Sequence, residues 1–113
     1  MQREARKYLY GIRQAAARIA EFTAGRSIDD YLADVMLRSA VERQFEIIGE
    51  AMTQLAKLDA ALAARISEYR DIIAFRNILI RGYASVNHRI VWSVIETQLP
   101  VLHREVDSLL AEP

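Results

Sequence analysis

The sequence predicts an all-α fold, an up-and-down bundle of four to five helices. Three observations carry that expectation. The 113 residues include only four Gly and two Pro, one of them the last residue, too few turn formers for a many-stranded sheet. Apolar residues recur at three- and four-residue spacing along most of the chain. Helix start and stop signals fall between those periodic stretches.

The first helix is expected over about residues 3–23, with Tyr8, Ile12, Ala15, Ile19 and Phe22 as its apolar stripe and Gly25 as its stop. Ser27-Ile28-Asp29-Asp30 follows, with an acid three residues beyond a Ser cap, a capping-box start. The helix it opens is expected to run unbroken over about residues 28–57, roughly 45 Å at 1.5 Å per residue. Its stripe is Leu37, Val41, Phe45, Ile48, Met52 and Leu55. Gly49 lies inside it at a cost relative to alanine, which predicts a close helix crossing.

A short helix is expected around residues 60–66, and another from Glu68 to about Arg81, closed by Gly82. Asn87 caps the last helix, whose apolar residues include Ile90, Val91, Val94, Ile95, Val101, Leu102, Val106 and Leu109. Pro100 lacks a backbone donor and is expected to kink or divide it. A 45 Å helix overhangs a monomer of this size, so self-association is expected. Tyr8, Tyr10 and Tyr31 are interleaved with apolar residues and read as core or interface, and Trp92 as a packing anchor.

The length fits one domain spanning residues 1–113, with a modest core. Fifteen basic residues balance fifteen acidic ones, which disfavours nucleic-acid or membrane affinity through net charge alone. The charge is polarised along the chain. Between Arg65 and Arg89 five arginines (65, 70, 76, 81, 89) face only Glu68 and Asp71, a local excess of three. There is no cysteine, which fits a reducing compartment. No apolar run approaches membrane-spanning length and the start lacks a leader-like segment, so a cytoplasmic protein is expected.

Arg76-Asn77-Ile78-Leu79-Ile80-Arg81-Gly82-Tyr83 is the least ordinary stretch. A guanidinium keeps its charge near neutrality, so placing it among isoleucines is costly unless an anion answers it. Ile73, Arg76, Ile80 and Tyr83 share one helical face, and Asn77 and Arg81 the next. Two forked cations, an amide and a phenol over two turns suit a phosphate. On spacing alone the plainer reading stands ahead: Glu42, Glu46 and Glu50 form a carboxylate row that makes Arg76 half of an ion-pair seam if it faces the arginine helix. That row is more simply a solvated face than a metal site, since neither histidine is near it in sequence. No phosphate-cradling glycine loop, serine nucleophile or zinc spacing is present, and no cofactor is expected.

Those eight residues closely resemble the signature of the HepT-like proteins of the HEPN superfamily, written R-N-x3-H-x-Y within an R-x4-6-H pattern. The lead-in from Tyr69 to Phe75, the Ile48-Gly49-Glu50-Ala51 segment and the stretch from Val91-Trp92 to Leu99-Pro100 resemble the family as well. The resemblance implies a helical homodimer with a groove between protomers, acting on RNA as a metal-independent endoribonuclease. It also implies a toxin role, with a minimal nucleotidyltransferase antitoxin as partner that transfers AMP to the motif tyrosine. By position, Arg76 is the catalytic-site arginine, Asn77 its polar support and Tyr83 the acceptor, with Glu46 and Arg70 supporting.

The chain departs from the pattern at Arg81, which occupies the histidine position. Histidine titrates near neutrality and can move the protons of RNA cleavage. Arginine cannot, though it can bind phosphate and stabilise charge. Three accounts fit Arg81: a natural variant of altered activity, a member kept for binding, or a substitution that tames a toxic protein. His88 is a substitute base that its expected place beyond the Gly82 break disfavours, and His103 reads as a helix-surface residue. The alternative function is a non-catalytic helical interaction or regulatory subunit for a nucleotidyltransferase.

Overall fold

A computed structural model describes residues 1–113 apart from the Tyr83 side chain. The described chain is all-α: α1 (Arg3–Thr23), α2 (Ile28–Ala33), α3 (Val35–Leu58), α4 (Ala60–Ala63), α5 (Tyr69–Arg81) and α6 (His88–Leu110), with a 3₁₀ turn at Tyr83–Ser85. α3 is the central helix, packed by α1, α2 and α5, while α6 lies against α1 and α2.

The core follows the helical periodicity. Leu9, Ile12, Ala15, Ala16 and Ile19 of α1 are buried against Val41, Ile48, Met52 and Leu55 of α3 and Val91, Val106 and Leu109 of α6. Tyr8 and Phe22, read as part of the α1 stripe, flank the core and are half-buried. Tyr31 and Trp92 are buried as expected, their rings 5.3 Å apart. Tyr10 is not core: it is exposed between Arg6 and Arg13, the latter 4.9 Å from its ring centre. Its phenol face is covered by guanidinium instead of hydrocarbon.

One expectation about helix continuity is corrected. The long second helix is broken at Asp34, which takes extended φ and ψ of −115° and 97°. Its carboxylate accepts the Leu37 N–H at 3.0 Å, so an acid that is a poor interior residue becomes the cap of α3. Arg38 then donates to the Leu32 carbonyl and closes the end of α2. With α3 starting at Val35, about 36 Å of helix fits within the 43 Å long axis of the chain. The overhang argument for self-association therefore falls away.

Pro100 does not divide α6, which runs from His88 to Leu110. It sits on the exposed face between buried Leu99 and Leu102. Only the bond to the exposed Glu96 carbonyl is lost, and water can replace it there.

The termini behave as their sequence signals indicate. Gly25 follows α1 with φ of 72°. Ser27 and Asp30 exchange bonds, Asp30 N–H to Ser27 Oγ at 3.1 Å and Ser27 N–H to Asp30 Oδ2 at 2.9 Å. These bonds hold the Asp30 carboxyl below the ordinary aspartate value. The box therefore supports α2 above that ordinary value and is lost as pH falls through the lowered one. Asn87 accepts the Arg89 and Ile90 N–H groups and opens α6.

Candidate functional site at the crossing of α3 and α5

Gly49 sets the geometry of the site. A Cβ built on it lies 2.1 Å from the Arg76 Cβ and 2.6 Å from its Cγ. No side chain fits there, so the α3 backbone touches the base of Arg76 directly. The close crossing predicted from a glycine inside a helix is present, and Arg76 is what crosses.

From that contact Arg76 reaches outward. Its Nη2 pairs with Glu50 Oε2 at 2.8 Å and its Nη1 donates to Asn77 Oδ1 at 3.0 Å. The side chains of Arg76 and Glu50 are 28% and 50% exposed, so the pair is open to water. Arg81 lies five residues further on, exposed, and pairs with no carboxylate among the described residues. Of the four groups expected to converge, Arg76 and Asn77 are in contact; Arg81 touches neither by a hydrogen bond, and the Tyr83 side chain lies outside the described residues.

The glutamate row does not act as one seam. Glu50 holds Arg76, Glu46 holds Arg43 at 3.4 Å, and Glu42 faces His88, with Nδ1 to Oε2 at 3.9 Å. Arg70 turns to its neighbour, its Nε donating to the Tyr69 hydroxyl at 3.1 Å. Glu46 and Arg70 are therefore engaged away from Arg76.

The Glu42–His88 contact was not read from the sequence. Burial raises the Glu42 carboxyl above the ordinary glutamate range, against the pull of His88 and Arg38. Burial, and then Glu42, also push the Tyr31 phenol up. The Tyr31 hydroxyl and His88 Nδ1 are both buried without a hydrogen-bond partner, and the two rings meet edge-on at 6.5 Å. The available signal was the first member of a four-spaced carboxylate row together with a histidine directly after a helix cap. His103, by contrast, is a surface residue beside Asp107 at 3.6 Å.

α5 is weakly covered. Only Leu79 of its apolar residues is buried, and Ile78 and Ile80 are 59% and 45% exposed. The expected apolar stripe through Arg76 is therefore half in solvent. α5 runs antiparallel to α6: Ser67 before it bonds Glu105 late in α6, while Ile78 near its end lines the same cleft as Ile90. That cleft of about 540 Å³ is floored by Phe45 and walled by Ile72, Phe75, Ile78, Ile90 and Val94. Ile90, expected within the α6 apolar set, is 56% exposed on its rim.

Among the described residues no group of three or more His, Asp or Glu side chains is placed to hold a metal ion. No helix among them is long and apolar enough to cross a membrane.

The fold and site define an all-helical domain with an arginine–asparagine pair at a glycine-mediated helix crossing. Residues 12–109 match the family described as Ribonuclease HepT-like, and the chain belongs to that family. It is 34% identical over 93% of its length to a protein named "Putative RNase" from Caldanaerobacter subterraneus subsp. tengcongensis, of which it covers 93%. It is 32% identical over 96% of its length to "Probable ribonuclease HepT" from Thermococcus cleftensis, of which it covers 98%. A "Putative RNase" from Methanocaldococcus jannaschii is 28% identical over 94% of this chain and 96% of its own. No solved structure matches the chain.

Proposed function

We propose that this chain, one domain over residues 1–113, is the toxin of a two-gene module and an RNA-cleaving enzyme with lowered turnover. Arg76 holds the scissile phosphate, Asn77 orients it, and Arg81 adds charge where the family pattern has its histidine. A minimal nucleotidyltransferase is the proposed antitoxin, Tyr83 its AMP acceptor and the cytoplasm the setting. Self-association is proposed through the α5–α6 face. Its exposed Ile78, Ile80 and Ile90 support this.

The observation that carries the reading is the Arg76–Asn77 pair at the open edge of the Gly49 crossing. The Arg76–Glu50 pair favours a second reading, in which the arginine face is a structural or partner-binding seam. The Arg76–Glu50 pair is open to water, and a pair of that kind contributes about 0–1 kcal/mol, which supports exchange of Glu50 for a phosphate.

Cleavage of RNA without added divalent metal tests the proposal. The chain as it stands cleaves slowly, and Arg81→His raises the rate by about 10²–10⁴, the usual worth of a positioned acid–base group. Absence of cleavage by both proteins overturns the reading.

A further inference from the structure

Arg81 cannot take or give a proton near neutrality, so any turnover in this site needs a titrating group from elsewhere. The two histidines are differently placed. His103 stands late in α6 with Asp107. His88 opens α6 and meets Glu42, which lies on the same stripe of α3 as Glu50, the partner of Arg76. The two glutamates are two helical turns apart, about 12 Å. Because α5 runs antiparallel to α6, Arg81 lies beyond Arg76 towards the end where α6 begins. Arg81 closes α5 and His88 opens α6, so both belong to the end of the bundle where Ile78 and Ile90 line one cleft.

The ring is also oriented. Nδ1 is the buried nitrogen, turned to Glu42, while the side chain as a whole is 32% exposed. With Nδ1 turned inward to Glu42, Nε2 is the nitrogen left on the open side of the ring. The 3.9 Å separation is longer than a hydrogen bond, as such contacts often are before substrate closes the site. Tyr31 from α2 meets the ring edge-on, Trp92 of α6 packs on Tyr31, and Arg38 and Glu46 of α3 act on Glu42.

We propose that His88, positioned by Glu42, is the catalytic acid–base group that carries the remaining turnover of this site, an inference that rests on the ribonuclease reading. Nε2 takes the proton of a ribose 2′-hydroxyl, and the freed oxygen attacks the adjacent phosphorus held by the guanidiniums. The bond from phosphorus to the 5′ oxygen breaks, leaving a 2′,3′-cyclic phosphate. The departing 5′ oxygen takes a proton from water, and the resulting hydroxide takes the proton from Nε2, restoring the imidazole.

Four variants, each assayed for metal-free RNA cleavage across pH, test this. His88→Gln is expected to lower the residual rate at least about 10²-fold, whereas Arg81→His with His88→Gln retains the raised rate of Arg81→His alone. That double variant also shows that the His88 substitution leaves the fold intact. Glu42→Gln is expected to lower kcat with KM unchanged; an undiminished kcat, or a change in KM alone, overturns the positioning role of Glu42. Undiminished cleavage by His88→Gln overturns the inference, as does cleavage by Arg81→His with none by the unaltered chain. In the first case the ribonuclease reading stands, and in the second it holds only for the Arg81→His variant. Cleavage by none of the proteins overturns that reading instead.

Discussion

Gly49→Ala is expected to destabilise the protein by about 1–3 kcal/mol, the range for overpacking a close contact, and to weaken RNA cleavage with it. The added methyl meets the Arg76 Cβ at 2.1 Å and its Cα at 3.5 Å. Those atoms are anchored to the α5 backbone, so relief requires α5 to move and carries Arg76 away from Glu50 and Asn77. Helix propensity alone gives the opposite sign, since alanine is favoured over glycine in a helix by about 1 kcal/mol. Gly11→Ala supplies the control, because a Cβ there meets nothing within 4 Å. That substitution is expected to stabilise by about 0.5–1 kcal/mol. Urea denaturation of both variants checks the pair of signs, and a stabilised Gly49→Ala contradicts the crossing as described.

Arg76→Ala is expected to cost about 10²–10³ in cleavage rate, the usual effect of removing one preorganised donor to transition-state charge. Its effect on stability is expected to stay below about 1 kcal/mol, because the lost ion pair is solvent-exposed and alanine keeps the Cβ that packs on Gly49. Arg76→Lys is expected to recover only part of the rate, since an ammonium supplies charge without the planar fork. Thermal denaturation and RNA cleavage measured on the same preparations separate the two readings. A phosphate-binding arginine yields a slow, folded variant. A structural seam yields a destabilised one, and that result overturns the assignment of Arg76 to substrate.

The sequence made the helices legible where periodicity and caps agreed, as at Ser27 and Asn87 and along the α3 stripe. It failed at Asp34, where the apolar spacing reads through a break that one carboxylate creates by capping Leu37. At Pro100 it left open whether the helix divides, because the position of a proline relative to solvent is a tertiary property. At the site, the arginine helix and a close crossing at Gly49 were both foreseen. Their meeting was not, since spacing on each helix says nothing about which residues of two helices touch. For the same reason the glutamate row looked like a single face, whereas its members serve an arginine from α5, one from α3 itself and a histidine from α6.

The central claim is that an RNA backbone lies along the edge formed by Arg76, Asn77 and Arg81. Titrating isotopically labelled protein with a short single-stranded RNA, and following amide and guanidinium NMR signals, tests it most directly. The expected result is salt-sensitive perturbation confined to the C-terminal half of α5, the start of α6 and the Glu42–Glu50 stretch of α3. The end of the bundle where Arg65 pairs with Glu112 stays unchanged. Perturbations centred on that far end or on the arginines of α1, with the Arg76 guanidinium signal unmoved, contradict the account.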